Sequence, residues 1–214
     1  MGDLNQLSFV RANAEQFQGP FFEIGSKDYG NTPDLRSVFP GEEYLGADMM
    51  PGPGVDLILD LTEPFDRIDD AVQGKRFGTI FCLSVLEHCE RPFDMAENIT
   101  SLLREGGKLC LSVPFVWRFH GYPSDYWRFT PEGVKKLFPG LRFAPELSCV
   151  STCIPGEIKP LDENVGQRKI PKSLSGNVKA LQIFQRLGFF KLPFSWFYRL
   201  PPTNINMIGI KTAT

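Results

Sequence analysis

Short apolar runs alternate with segments of helical spacing through residue 138, and this alternation narrows the fold more than any other feature of the chain. Strands buried on both faces read as continuous apolar runs, so the pattern predicts an α/β fold: a parallel sheet with helices on both faces. The runs cover 20–25 (PFFEIG), 42–48 (EEYLGAD), 55–61 (VDLILDL), 77–85 (FGTIFCLSV) and 108–113 (KLCLSV). Glu105-Gly106-Gly107, a helix-stop and turn signal, precedes the fifth. Residues 92–103 predict a helix, with Pro92 in the first turn and Met95, Ile99, Leu102 and Leu103 at three- and four-residue spacing. The segment between the first two runs is rich in Pro and Gly, so any helix there is short.

After the fifth run the texture changes. Residues 114–129 (PFVWRFHGYPSDYWRF) form an aromatic, polar loop. Thr130-Pro131-Glu132 then starts a helix through Phe138, with Thr as the cap, Pro in the first position and an acid in the first turn. A sixth strand is expected within 141–158 and a final one at 205–210 (INMIGI). The expectation is a single domain over 1–214, with a seven-stranded, mostly parallel sheet closing on an antiparallel hairpin. An insertion, 164–200, precedes the last strand.

Composition removes several functional classes. A formal net charge of −2 gives no overall basic field, so nucleic acid is not an expected partner. The five cysteines, Cys82, Cys89, Cys110, Cys149 and Cys153, are odd in number and form no C-x-x-C pair. Free buried thiols in a reducing compartment explain them better than a disulfide framework or a zinc site, and no metal is expected. Residues 1–17 lack an apolar signal core, and no apolar stretch approaches the ~18 residues of a membrane span. Gln6 stands where a myristoylation signal would need Ser or Thr. The expected location is the cytoplasm.

Candidate chemistry gathers at the strand ends. The first strand finishes in Glu23-Ile24-Gly25-Ser26, where a glycine lets the backbone turn sharply and a ligand approach closely. The same glycine could serve turn geometry alone. Asp48 ends the second strand about twenty residues on, a position from which a carboxylate accepts both ribose hydroxyls; a surface turn is the alternative. Asp60 closes the third run, either at the edge of a bound base or as the cap of a helix starting near Pro64.

The order of 21–30, Asp48, Asp60 and the segment CLSVLEH (82–88) resembles that of the class I S-adenosylmethionine-dependent methyltransferases. SVLEH is similar to the methyltransferase 11-like branch. MMPGPGVDLILDL and HGYPSDYWRFTPEG resemble small bacterial members associated with sugar or cell-envelope metabolism. The resemblance spans roughly 18–141 and the final strand. It implies a Rossmann-like sheet, S-adenosylmethionine as cofactor and methyl transfer to a small-molecule acceptor, a sugar or envelope intermediate. By the same resemblance, Glu23, Gly25 and Ser26 line the methionine and ribose side, and Asp48 holds the ribose with Met49 near the adenine. Asp60 and Leu61 meet the adenine edge, and Ser84 and Val85 form the wall beneath the methionine portion. Lys27-Asp28-Tyr29 departs from the family's glycine-rich turn, where a further small residue is usual.

Such a cofactor brings its own electrophile, so the protein needs to orient an acceptor and, where required, remove its proton. The candidates for that proton are His120 and Asp125 in the aromatic loop and His88 after the fourth strand; His88 could instead fix the loop by a structural hydrogen bond. Tyr122, Tyr126 and Trp127 offer faces to a sugar ring or other flat surface, and Arg128 could hold an anion. The alternative is a packed loop with Trp127 in the core. The insertion carries seven Lys or Arg and no Asp or Glu, with seven aromatics. It suits a lid, a peripheral membrane or lipid-linked substrate contact, or a homodimer contact. Two rival functions remain: a nicotinamide-dependent oxidoreductase, which calls for a G-x-G-x-x-G turn that 21–31 does not supply, and a non-catalytic S-adenosylmethionine-binding regulatory subunit.

Overall fold

The computed structural model describes residues 3–30, 34–121, 123–161 and 203–212; the insertion 164–200 and Tyr122 lie outside them. The strands are β1 (Phe21–Ile24), β2 (Tyr44–Asp48), β3 (Leu57–Ile58), β4 (Phe77–Leu83), β5 (Leu103–Pro114), β6 (Leu141–Phe143), β7 (Cys149–Ser151), β8 (Ile158–Pro160) and β9 (Asn204–Lys211). The helices are α1 (Leu4–Ala12), α2 (Phe65–Ala71), α3 (Pro92–Leu102) and α4 (Pro131–Leu137). Strand order is β3-β2-β1-β4-β5-β9-β7-β8, with β6 also pairing to β9. Strands β1 to β5 pair in parallel; β9 joins β5, β6 and β7 in antiparallel register. Chain direction along the sheet reverses between β1 and β4, and ligands of open α/β sheets bind at such a switch point, outside the carboxyl ends of the strands.

Both faces are covered. On one, α2, α3 and α4 bury Ile68, Met95, Ile99, Leu102 and Val134 against Phe22, Ile80, Leu109 and Met207. On the other, Phe9 and Val10 of α1 pack with Phe17, Phe21, Leu35, Phe81 and Cys110. Continuous burial along β4, whose seven residues are all buried, is the reason its sequence is apolar without alternation.

The sheet is mostly parallel, as expected, since β6 and β7, each antiparallel to β9, run in the direction of β1 to β5; it has nine strands rather than seven. The excess lies in 141–160, where one strand was expected and three occur, each of three residues. Strands that short, separated by Pro145 and the Pro155-Gly156 turn, carry too few residues for a periodic signal. In contrast, β3 is shorter than its apolar run: Gly52-Pro53-Gly54 turns the chain late, and only Leu57 and Ile58 reach the ladder. Gly106 (φ 71°) and Gly107 do not end the chain's pairing but make a bulge, shifting register between Phe77↔Leu103 and Thr79↔Lys108. A side chain at Gly107 would meet the carbonyls of Arg104 and Phe77 at 2.8 and 3.0 Å.

The helix α4 begins as the sequence predicts, with the Thr130 hydroxyl accepting from Gly133 N at 3.0 Å and Pro131 in the first turn. The helix α1 was not anticipated. Its signal is a capping box, with Asp3 accepting from Gln6 N (2.9 Å) and Gln6 Oε1 accepting from Asp3 N (2.7 Å). No helix among the described residues is long and apolar enough to cross a membrane.

Candidate active site

Register brings the candidate residues together. Ile24 pairs with both Ala47 and Cys82, so the next residues, Gly25, Asp48 and Leu83, reach the same edge of the sheet. Gly25 takes φ 75°, a conformation that only glycine adopts without cost, and its N–H donates to Ala47 O at 2.8 Å. The following turn is pinned by backbone: Ser26 N donates to Ala47 O (3.1 Å) and Asp28 N to Pro53 O (2.9 Å). Cβ atoms at Gly46 or Gly54 would strike Gly54 O at 2.5 Å and Ser26 O at 2.6 Å respectively, so three short strand ends close against one another. Lys27, whose bulk departs from the family pattern, lays its stem over Gly52. A Cβ at position 52 would come within 2.8 Å of Lys27 Cε, so the lysine stem would have to shift.

The Asp48 carboxylate lies at this edge, half-buried, facing Lys27 N (3.4 Å) and accepting from Met50 N (2.9 Å). Met49 and Met50 are exposed beside it. Glu23 sits one position back and accepts from the Tyr44 hydroxyl at 2.7 Å; burial holds its pKa above the ordinary value despite that bond. Ser26 Oγ is buried with no hydrogen-bond partner and lies against Gly46, where a Cβ would meet it at 2.7 Å. Asp60 does not cap α2, whose N-cap is Pro64; its carboxylate instead accepts from Thr62 N and Oγ1, both at 2.8 Å. Leu61 packs its side chain into the core, which leaves its backbone as the part that would meet a base.

Ser84 holds φ 53°, a left-handed conformation costly for a residue with a Cβ and one that concentrates at functional sites. Its N–H donates to Ser112 O, and its hydroxyl accepts from Gln6 Nε2 at 2.7 Å. The Gln6 amide also donates to Ser112 Oγ (2.8 Å), which donates to Asn206 Oδ1 (2.7 Å), and Asn206 Nδ2 donates to Ser151 Oγ (3.0 Å). This buried polar chain ties the end of β4 to α1, β5, β7 and β9. Sequence reasoning missed Gln6, and the capping box that places it was the available signal.

The 115–129 loop is stitched to the end of β4. Tyr126 N and Trp127 N donate to Glu87 O (2.8 and 3.3 Å), Trp127 Nε1 donates to Cys89 O (2.8 Å), and His88 Nδ1 meets Ser124 O at 2.5 Å. Asp125, its side chain 1% exposed, grips Arg128 through both oxygens (2.5 and 2.8 Å) and accepts from His120 N at 2.9 Å. The bond from Arg128 holds the Asp125 carboxyl well below the usual range. The Arg128 guanidinium also donates to the carbonyls of Trp117 and Arg118, so it braces the loop from within. Trp127 is not in the core: Trp117, Phe119, Tyr126 and Trp127 are all exposed. His120 stands over Asp125 (Nδ1 to Oδ2, 3.2 Å) and edge-to-face on His88, ring centroids 4.9 Å apart.

Behind the two rings lies Glu87, 1% exposed, whose Oε2 has no hydrogen-bond partner; His88 Nε2 is likewise buried without one. Burial pushes the Glu87 carboxyl up to about 7 and lowers the His88 imidazolium pKa. No sequence signal singled out Glu87. All five cysteines are free, and burial raises the thiols of Cys82, Cys110 and Cys149, which makes them poor nucleophiles.

No family model matches this sequence. No curated protein does either. The fold is nonetheless shared with solved structures. A SAM-dependent methyltransferase from Archaeoglobus fulgidus superposes with a TM-score of 0.58 at 16% identity, covering 98% of this chain and 95% of its own. The 1,6-didemethyltoxoflavin-N1-methyltransferase of Burkholderia thailandensis, solved with its substrate and S-adenosylhomocysteine, gives 0.55 at 13% identity, covering 98% and 78%. A putative methyltransferase from Thermobifida fusca gives 0.54 at 16% identity, covering 98% and 79%. The chain has the fold of the class I S-adenosylmethionine-dependent methyltransferases.

Proposed function

We propose that this protein binds S-adenosylmethionine across the carboxyl ends of β1, β2 and β4 and transfers its methyl group to a small-molecule acceptor, a sugar or a sugar-derived envelope intermediate. One observation carries the reading: the shared register that sets Gly25, Asp48 and the strained Ser84 along one edge at the switch point. The unpartnered Ser26 hydroxyl and the close-packed glycines fit a ligand lying against backbone.

In this reading Asp48 takes the ribose hydroxyls, and Met49, with Asp60 and the backbone of Leu61, takes the adenine. Gly25, Ser26, Ser84 and Val85 line the methionine portion, with Glu23 behind them bracing the turn through Tyr44. When bound, the cofactor supplies a methyl group on a sulfonium, an electrophile that needs no nucleophilic Ser or Cys on the protein. The chain's own work is to place and deprotonate an acceptor. Tyr126 and Trp127, both exposed, offer flat faces to a ring. His120, held at Nδ1 by Asp125, is the candidate to take an acceptor proton, whereas His88, with Nδ1 on the Ser124 carbonyl and a buried Nε2 toward Glu87, suits the bracing role that the sequence left open for it. Arg128 acts through the loop it braces, with its exposed side toward any anionic group.

Calorimetry with S-adenosylhomocysteine tests this directly. Asp48→Ala should weaken binding about tenfold, or ~1.4 kcal/mol, through loss of charge-assisted hydrogen bonds. Unchanged affinity in the folded variant removes Asp48 from the site. Stabilisation of the protein by NAD but not by S-adenosylhomocysteine would reject the methyltransferase reading for the oxidoreductase one. Binding of neither would favour a non-catalytic role.

A further inference from the structure

Glu87, His88 and His120 each offer one ligand atom, and these atoms lie within 4.8 Å of one another. Two carry a second, independent mark: Glu87 Oε2 and His88 Nε2 are buried and have no hydrogen-bond partner. Leaving a buried polar atom unsatisfied is costly, and native structures rarely do so without an ion, a water or a ligand to complete it. We propose that these three residues hold a single divalent cation of the zinc class, between the end of β4 and the 115–129 loop.

The donor chemistry selects the class. Two imidazoles and one carboxylate suit zinc and its neighbours among the transition metals, whereas magnesium and calcium take oxygen ligands. Three protein ligands also leave a fourth position open, as in catalytic rather than structural sites. The surrounding bonds are those of ligating histidines, which pass their other ring nitrogen to a carbonyl or carboxylate. The His88 ring meets the Ser124 carbonyl through Nδ1 (2.5 Å), leaving Nε2 toward Glu87 Oε1 at 3.9 Å. The His120 ring meets the Asp125 carboxylate and the Arg118 carbonyl through Nδ1, both at 3.2 Å. Arg128 in turn fixes Asp125. Tetrahedral zinc sets its ligand atoms about 3.3 Å apart, so a small rotation of the rings closes the site.

The cation site stands without any assumption about methyl transfer; only its role rests on the function proposed above. Ligation would take up the His120 ring nitrogen that would otherwise take the acceptor's proton. The ion's open position would then receive the acceptor oxygen and make its proton easier to lose. It would also replace the expectation, drawn from cysteine spacing, that the protein holds no metal.

Titration of metal-free protein with Co(II) provides the test. The expected result is one equivalent bound, with visible d–d absorption of a low-coordinate site, displaced by Zn(II). Binding should weaken at least tenfold in His120→Ala and in Glu87→Gln. The second variant keeps the buried shape should loss of the ring disturb the loop, and circular dichroism checks both folds. Equal Co(II) affinity in wild type and both folded variants overturns the site, as does a response to Mg(II) with none to Co(II) or Zn(II). S-adenosylhomocysteine binding by the metal-free protein separates the two proposals. Protein that binds the nucleoside but fails to bind added Co(II) refutes the cation site alone, and protein that binds Co(II) but not the nucleoside refutes the methyltransferase reading alone.

Discussion

The two sides of the crevice are built by different means. On the β1–β2 side, shape comes from backbone: glycine turns, amide-to-carbonyl bonds and strand ends too close for a Cβ at positions 46 or 54. On the other side, the 115–129 loop adds side-chain bonds to its backbone ones: Asp125 and Arg128 clamp its centre and Trp127 ties it to Cys89, beside Tyr126 N and Trp127 N on Glu87 O. A wall made of backbone tolerates changes of side chain and keeps its form. A loop that leans on side-chain bonds can be rebuilt by few substitutions, which would suit the acceptor side of the methyltransferase proposed above.

This contrast can be broken by experiment. Asp125→Ala should have the largest effect, about 3 kcal/mol in urea unfolding, because it removes charge-assisted bonds from Arg128 to both carboxylate oxygens and the bond from His120 N. Gln6→Ala, which strips the shared donor from Ser84 and Ser112, should cost about 2 kcal/mol. Were Gln6→Ala the more damaging, the buried polar chain rather than the loop clamp would be the dominant tie, and the contrast would fail. Trp127→Ala should cost only about 1 kcal/mol, since the ring is exposed and loses one hydrogen bond. Its effect should instead fall on acceptor use, raising the acceptor KM while S-adenosylhomocysteine affinity stays within about twofold. The opposite pattern would move that loop to the cofactor side.

Legibility in the sequence follows the same division. Strand β4 was readable because continuous burial imposes continuous apolar sequence, β1, β2, β5 and β9 because each carries a buried apolar stretch of strand length, and α4 because its cap and proline are local signals. Asp48 and Gly25 were readable because strand ends are, and their neighbours in space follow from register. Glu87 was not: nothing in Leu86-Glu87-His88 announces that the carboxylate faces inward, since its burial is made by a loop forty residues later. Nor was the inward role of Arg128, a residue type that more often faces water. Helix α1 carried its capping box at Asp3 and Gln6 but too weak an apolar stripe to stand out. The short strands at 141–160 fall below the length at which alternation can be recognised.

The polar chain from Gln6 through Ser84 and Ser112 to Asn206 has a bearing on how the molecule is made. Its members are brought together across 78, 106 and 94 residues of sequence, and contacts of such span form late because long loops must close first. Strand β9 is the only link between β5 and the strands β6 and β7 among the described residues, so that side of the sheet waits for 204–211 while β1 to β5 can pair before it. The Ser112–Asn206 bond then fastens the late-arriving strand to a polar chain that Gln6 has already begun.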